Sequence, residues 1–191
     1  MTMKRDVAVR RLTHVLIAFA PLYYSIPVDL PYIGLRRWVL LIAFFAAVSM
    51  FEAIRLWKGI TFIGLRPHER NQIASFAWAA AGITLVLWLF PHEIATAALI
   101  GMAIVDPLIG ELRNSVDSRI AVPVSSGAYI VLCISALLLS SEMSFLFAGA
   151  LASVGAAVAI ASENLEIKYV DDDFLMAVLP AVAMTALWLW V

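Results

Sequence analysis

Charge is what this chain has least of. Asp, Glu, Lys and Arg make up 14% of its 191 residues while apolar residues reach 63%, against about 25% and roughly 45–50% in soluble domains. So few polar side chains cannot cover a surface that faces water on every side, and lipid is the expected solvent. Cysteine is equally scarce: Cys133 stands alone, which excludes an intramolecular disulfide. There is no Gly-rich phosphate loop of the soluble nucleotide-binding kinds, no His-Cys metal pattern and no serine-centred nucleophile elbow. A net charge of −1 gives no electrostatic ground for a nucleic-acid partner.

What is present is long apolar runs. A helix needs about 20 apolar residues to cross the hydrocarbon core, and short polar stretches cut the sequence into about seven runs near that length. They lie near residues 12–30, 38–56, 73–90, 94–109, 120–139, 143–161 and 174–191. They are continuously apolar and do not alternate as barrel strands do. The expectation is an all-α polytopic membrane protein, one domain over residues 1–191, with a retained first span in place of a cleaved signal peptide. Trp38, Trp57, Trp188 and Trp190 stand near run ends, as interfacial anchors do.

Cationic residues fix an expected orientation. Eleven of the 13 Lys and Arg fall in the N-terminal tail and in the segments 55–70, 111–119 and 163–173, the exceptions being Arg36 and Arg37. The positive-inside rule then predicts a cytoplasmic N-terminus. Most acids lie on the same side, leaving Asp29, Glu93 and Glu142 opposite, where the connections at 91–93 and 140–142 are minimal turns. The working face is expected to be cytoplasmic.

Several constellations sit on that face. Asp106 lies in the apolar stretch 99–110, at a cost of about 2.5–3.5 kcal/mol near a bilayer centre, so something must compensate it. Pro107 disfavours helical geometry at the residue before it, which predicts a helix break beside a carboxylate, suited to an ion or phosphate. Asp171, Asp172 and Asp173 repel one another unless cations share the site, and hard oxygen ligands suit Mg²⁺. Glu52 with Arg55 and Arg66 with Glu69 are three apart, so each acid is placed to orient its arginine toward phosphate oxygens. Arg10, Arg11 and His14 form a further cluster, the arginines reading first as topology anchors. Gly149, Ser153, Gly155 and Ala159 form a small-residue stripe expected to serve close helix packing.

The order of these motifs resembles the CTP-dependent lipid kinase family that includes dolichol kinase, phytol kinase and the yeast-type diacylglycerol kinase. The resemblance covers most of the chain: Arg11 and His14, then Glu52 and Arg55, then Arg66 and Glu69. The family's Gly-Asp-x-x-Ala-x-x-x-Gly stretch is similar to residues 105–110, with Val105 and Ile109 in place of small residues and Arg113 where a later glycine is usual. Its late acidic stretch is similar to residues 163–173 followed by Pro180, with Asp173 in place of asparagine.

The resemblance implies transfer of the terminal phosphate of CTP to the hydroxyl of a membrane lipid alcohol, either an isoprenoid (dolichol- or polyprenol-like) or diacylglycerol. Asp106, Asp171 and Asp172 would hold Mg²⁺. His14, Arg55, Arg66, Gly110, Arg113, Asn114 and Lys168 would contribute to nucleotide binding. Glu163, or Asp106 itself, would accept the hydroxyl proton. Nucleotidyl transfer from CTP to a phospholipid, a transporter using intramembrane acids and a diverged binding protein are the competing readings.

Overall fold

The computed structural model describes residues 11–30, 34–163, 165, 167 and 170–190. Among these the chain is helical, and the only pairings of β type are two isolated bridges, Asp29 with Arg36 and Ile167 with Val170. The helices are α1 (residues 11–18), α2 (Trp38–Lys58), α3 (Ser75–Leu89), α4 (His92–Ser115), α5 (Ser118–Ser140), α6 (Phe145–Glu163) and α7 (Asp172–Trp190). Five of them, α2 and α4 to α7, are long and apolar enough to cross a membrane. At 15 residues, α3 rises about 22 Å, short of a hydrocarbon core of about 30 Å.

The first apolar run does not form the single span expected over residues 12–30. Its helix ends at residue 18, and a 3₁₀ turn, Ala20–Ser25, follows with Pro21 in its first positions. Proline lacks the N–H that would continue an α-helix, and Pro27 pushes Ile26 into extended backbone. The run nevertheless crosses from one end of the bundle to the other. His14 meets Asp106 on α4, while the Tyr24 hydroxyl donates to the Leu87 carbonyl at the far end of α3. There Arg37 donates to the carbonyls of Tyr24 and Ile26 and lies over the Tyr23 and Tyr24 rings.

The break expected at Asp106 does not occur either: α4 is helical from His92 through Pro107 to Ser115. One internal proline removes a single backbone bond, to the Ala103 carbonyl, and packing on both sides of α4 holds the rest. Pro123 and Pro180 sit inside α5 and α7 in the same way. Consequently residues 111–115, expected as loop, continue the helix.

The core lies among α4, α5, α6 and α7, with Leu99, Met102, Tyr129, Leu137, Leu151, Met176 and Met184 fully buried. Tyr129 of α5 occupies its centre, and two glycines admit it. A Cβ on Gly101 of α4 would lie 2.6 Å from the ring, and one on Gly155 of α6 would lie 3.2 Å from the ring's other edge. The small-residue stripe of α6 is therefore partly as expected: Gly155 and Ala159 are buried with Ala148, Ala152 and Ala156, whereas Ser153 is exposed and Gly149 is only half-buried. By contrast α2 buries few residues, and Phe44, Phe45, Met50 and Phe51 remain exposed, as lipid-facing positions are.

This packing makes Gly101→Ala a test of the core. Overpacking costs about 1–3 kcal/mol, so the variant should unfold at lower temperature in detergent. Gly127→Ala, where a Cβ meets nothing within 4 Å, should be neutral or slightly stabilising by helix propensity; equal midpoints for the two variants would contradict the Tyr129 packing.

Candidate functional site

The chain reverses direction at each helix, so the C-terminal parts of α4 and α6, the N-terminus of α7, α1 and the segment between α2 and α3 share one end of the bundle. Asp171 precedes α7, and its Oδ1 accepts the Asp173 backbone N–H at 3.2 Å, an N-capping contact. Asp172 and Asp173 occupy the first turn, where unpaired backbone N–H groups favour negative charge. Three adjacent acids thus find a partial answer in the start of one helix.

Across from that turn, His14 Nε2 lies 3.1 Å from Asp106 Oδ2, both side chains largely buried. Asp173 is 6% exposed and completes the group: one ligand atom from each of His14, Asp106 and Asp173 lies within 4.8 Å of the others, and the same holds for Asp171, Asp172 and Asp173. Asp173 is thus the member common to both, and it was not among the metal ligands expected from the sequence, which were Asp106, Asp171 and Asp172. The signal was there in the run of three aspartates, but nothing in one dimension says which of them turns inward.

The arginines divide into two kinds. Arg66 Nη1 reaches Asp171 Oδ2 at 3.4 Å and Asp172 Oδ1 at 3.7 Å, so it belongs to the acidic site. Glu69 does not orient its guanidinium as expected: its carboxylate accepts the Arg66 backbone N–H at 2.6 Å and the Ser75 N–H at 3.0 Å, capping two chain segments. Arg113 forms a fork with Glu163 through Nη1–Oε1 and Nη2–Oε2 contacts of 3.0 Å. Glu163 feels Asp106 and Asp172 nearby.

Arg55 is of the other kind. Its Nε and Nη2 donate to Glu52 at 2.6 and 2.7 Å, and Nη2 also donates to the Gln72 carbonyl at 2.7 Å. Glu52 in turn accepts the Ala74 N–H at 2.8 Å. The pair is buried, Arg55 to 1% exposure; Nε and Nη2 fasten α2 to the segment that starts α3, while Nη1 has no hydrogen-bond partner among the described residues. Arg55 thus serves as a structural clamp between α2 and the segment before α3; removing one partner of such a buried pair costs about 3–5 kcal/mol.

The remaining expected residues are dispersed. Gly110 and Asn114 are exposed on the last turns of α4, where the Asn114 amide donates to the Gly110 carbonyl at 2.9 Å, a local bond that does not reach the acids. Arg11 pairs with Glu111 at the surface. Lys168 and Arg10 lie outside the described residues. Beside His14 and Asp173 opens a cavity of about 70 Å³ with apolar walls from Ile17, Phe62, Leu65 and Phe76.

The donor set fits a hard divalent cation. The oxygens of Asp171, Asp172 and Asp173 are grouped nearly as closely as the roughly 3–4 Å separating ligands around an ion with bonds of about 2.1 Å. Burial pushes the Asp171 carboxyl up to about 7, with Asp172 adding to the rise through a hydrogen bond and its charge, against Arg66 and the Asp173 N–H. Such a shift makes folding take up a proton between pH 3.8 and about 7, so stability falls as pH rises through that window. Asp171→Asn keeps a capping oxygen and should lessen this fall, raising the thermal midpoint at pH 8 relative to the unaltered protein in EDTA while changing it little at pH 4. A lower midpoint at both pH values would contradict it. No protein-family model matches the chain, and comparison with curated proteins and with solved structures gives no match either.

Proposed function

We propose that the protein is a membrane-embedded lipid kinase, transferring the terminal phosphate of CTP to the hydroxyl of an isoprenoid alcohol or diacylglycerol. The observation that carries this reading is the convergence of His14, Arg66, Asp106, Glu163 and Asp171 to Asp173 at one end of an apolar helical bundle. These are motif residues on which the resemblance to the CTP-dependent lipid kinases rests, and they come from segments remote in sequence. Phosphoryl transfer asks a protein chiefly for positioning and for neutralisation of charge, and the site offers acids for cations and arginines for phosphates.

When bound, Mg²⁺ would neutralise charge on the nucleotide phosphates. Asp106, Asp171, Asp172 and Asp173 would hold it through carboxylate oxygens. Arg66, already beside the acids, would turn toward a phosphate oxygen, and Arg113 could exchange part of its fork with Glu163 for another. Release from Arg113 would leave the Glu163 carboxylate with lone pairs for the acceptor hydroxyl proton. The cavity beside His14 and Asp173, apolar along its walls and polar at its end, suits the hydroxyl terminus of a lipid, while the aliphatic remainder would lie along the helices in the bilayer. The cytoplasm, which supplies nucleotide, is the proposed side of this end, in keeping with the positive-inside rule.

The decisive assay supplies CTP or ATP labelled at the terminal phosphate, with polyprenol, phytol-type alcohol or diacylglycerol in bilayers. Label should enter an organic-phase phospholipid from CTP, and Asp106→Asn should reduce transfer at least about 10²-fold without altering membrane insertion. Label entering lipid from the cytidine moiety instead would replace this reading with nucleotidyl transfer; no transfer by folded protein would reject both.

Topology is tested separately. Because α7 runs 19 residues away from the site end, about 28 Å, a reporter fused after Trp190 should lie on the non-cytoplasmic side. Fluorescence of a cytoplasm-dependent reporter there would reverse the proposed orientation.

A further inference from the structure

The segment between α2 and α3 leaves a helix long enough to cross a membrane and carries large apolar side chains outward. α2 ends at Lys58, and Gly59 caps it in the left-handed region at φ 63°. Trp57, in that last turn, is 83% exposed. Beyond the cap Ile60, Phe62 and Ile63 also stand exposed, Ile63 to 56%, before Gly64 turns the chain again at φ 104°. Such a patch is uncommon on a surface that faces water, whereas a tryptophan beside a lysine at the end of a span belongs at the headgroup level of a bilayer.

Local contacts hold this segment in shape. The Ile60 N–H donates to the Arg55 carbonyl at 3.0 Å and the Leu65 N–H to the Phe62 carbonyl at 3.4 Å. The Phe62 ring packs against Phe51 of α2 and Phe76 of α3, with centroids 6.2 and 5.9 Å away. A groove of about 280 Å³ results, lined by Thr61, Phe62, Ile63, Leu65 and Arg70. Phe62, Ile63 and Leu65 also line the smaller cavity beside His14 and Asp173, so the groove adjoins it.

Charge selects the occupant. From residue 53 to residue 74 the one acid is Glu69, which is buried with its carboxylate accepting the Arg66 and Ser75 N–H groups. Lys58 and Arg70 are exposed, which leaves the outer surface of the segment cationic. Apolar walls with a guanidinium and a hydroxyl match an amphiphile whose charged group is a phosphate, which arginine holds in a forked geometry. Anionic headgroups in turn draw basic segments that flank a span. A free phosphate would leave the apolar wall facing water, and a neutral lipid alcohol brings no charge to Arg70.

We infer that this groove is a binding site for an anionic phospholipid of the adjoining leaflet, its phosphate on Arg70, its glycerol oxygens near Thr61 and its acyl methylenes along Phe62 and Ile63. The site stands apart from the lipid-kinase reading: its ligand is a resident lipid, held beside the acceptor cavity and not consumed.

The test uses the purified full chain in nanodiscs of phosphatidylcholine with phosphatidylglycerol as the minor component, without nucleotide or lipid alcohol. Native mass spectrometry of the protein released from the discs should show phosphatidylglycerol retained ahead of phosphatidylcholine. Arg70→Gln should lower that retention about 10-fold. Arg119→Gln, which removes an exposed cation outside the groove, should change it little, and excess inorganic phosphate should not displace the lipid. Equal retention of the two lipids, equal losses in the two arginine variants, or displacement by inorganic phosphate would overturn the inference, the last in favour of a soluble anion. Should Arg70→Gln not fold, the retention ratio and the phosphate competition in the unaltered protein decide. Retention without lipid phosphorylation keeps the site and drops the kinase; phosphorylation without retention does the reverse.

Discussion

Asp106 and Asp173 bring carboxylate oxygens within 4.8 Å of one another, and holding those two carboxylates together constrains much of the bundle around them. Each charge would be costly to bury alone. The cost is met from several directions: His14 approaches Asp106 from α1, the first turn of α7 donates the Asp173 N–H to Asp171, and Arg66 comes in from the segment before α3. α4 must run unbroken through Pro107 to carry Asp106 to this place, and the close packing of α4 to α6 around Tyr129 keeps that helix in register.

The distribution of arginines separates stability from chemistry. Arg55 is held through Nε and Nη2 on Glu52 and the Gln72 carbonyl, and its position is fixed by a network that also caps Ala74 through Glu52. Arg66 and Arg113 are partly exposed, 25% and 32% at the side chain, and pair with acids that have other roles open to them. Guanidinium groups with alternative partners can exchange a carboxylate for a phosphate at small net cost, whereas a buried clamp cannot.

Under the proposed function, a site of this composition at the end of an apolar bundle would answer a particular problem of solubility. A phosphate donor is water-soluble and an acceptor of the proposed kind is not, so the reacting groups can meet only at an interface. The polar end beside His14 and Asp173 adjoins apolar walls, and α2 leaves its aromatic and aliphatic face outward, where lipid replaces protein as packing partner.

Composition and run length alone determined that this is an all-helical chain of apolar helices, because backbone groups in lipid must bond within their own segment and only a continuous apolar run permits that. The acids and arginines that gather at one end were legible too, since buried ionisable groups in so apolar a sequence stand out. The tertiary structure decided what periodicity and spacing could not. It broke the first run at Pro21 yet carried α4 through Pro107, because a proline ends a helix unless packing from neighbouring helices holds the turns on either side of it. It also assigned Arg55 to structure and Arg66 to the site although both lie three residues from an acid, and it turned Asp173 inward from a run of three identical residues. Those outcomes depend on which atoms the other helices bring within about 4 Å, a distance that separation along the chain does not encode.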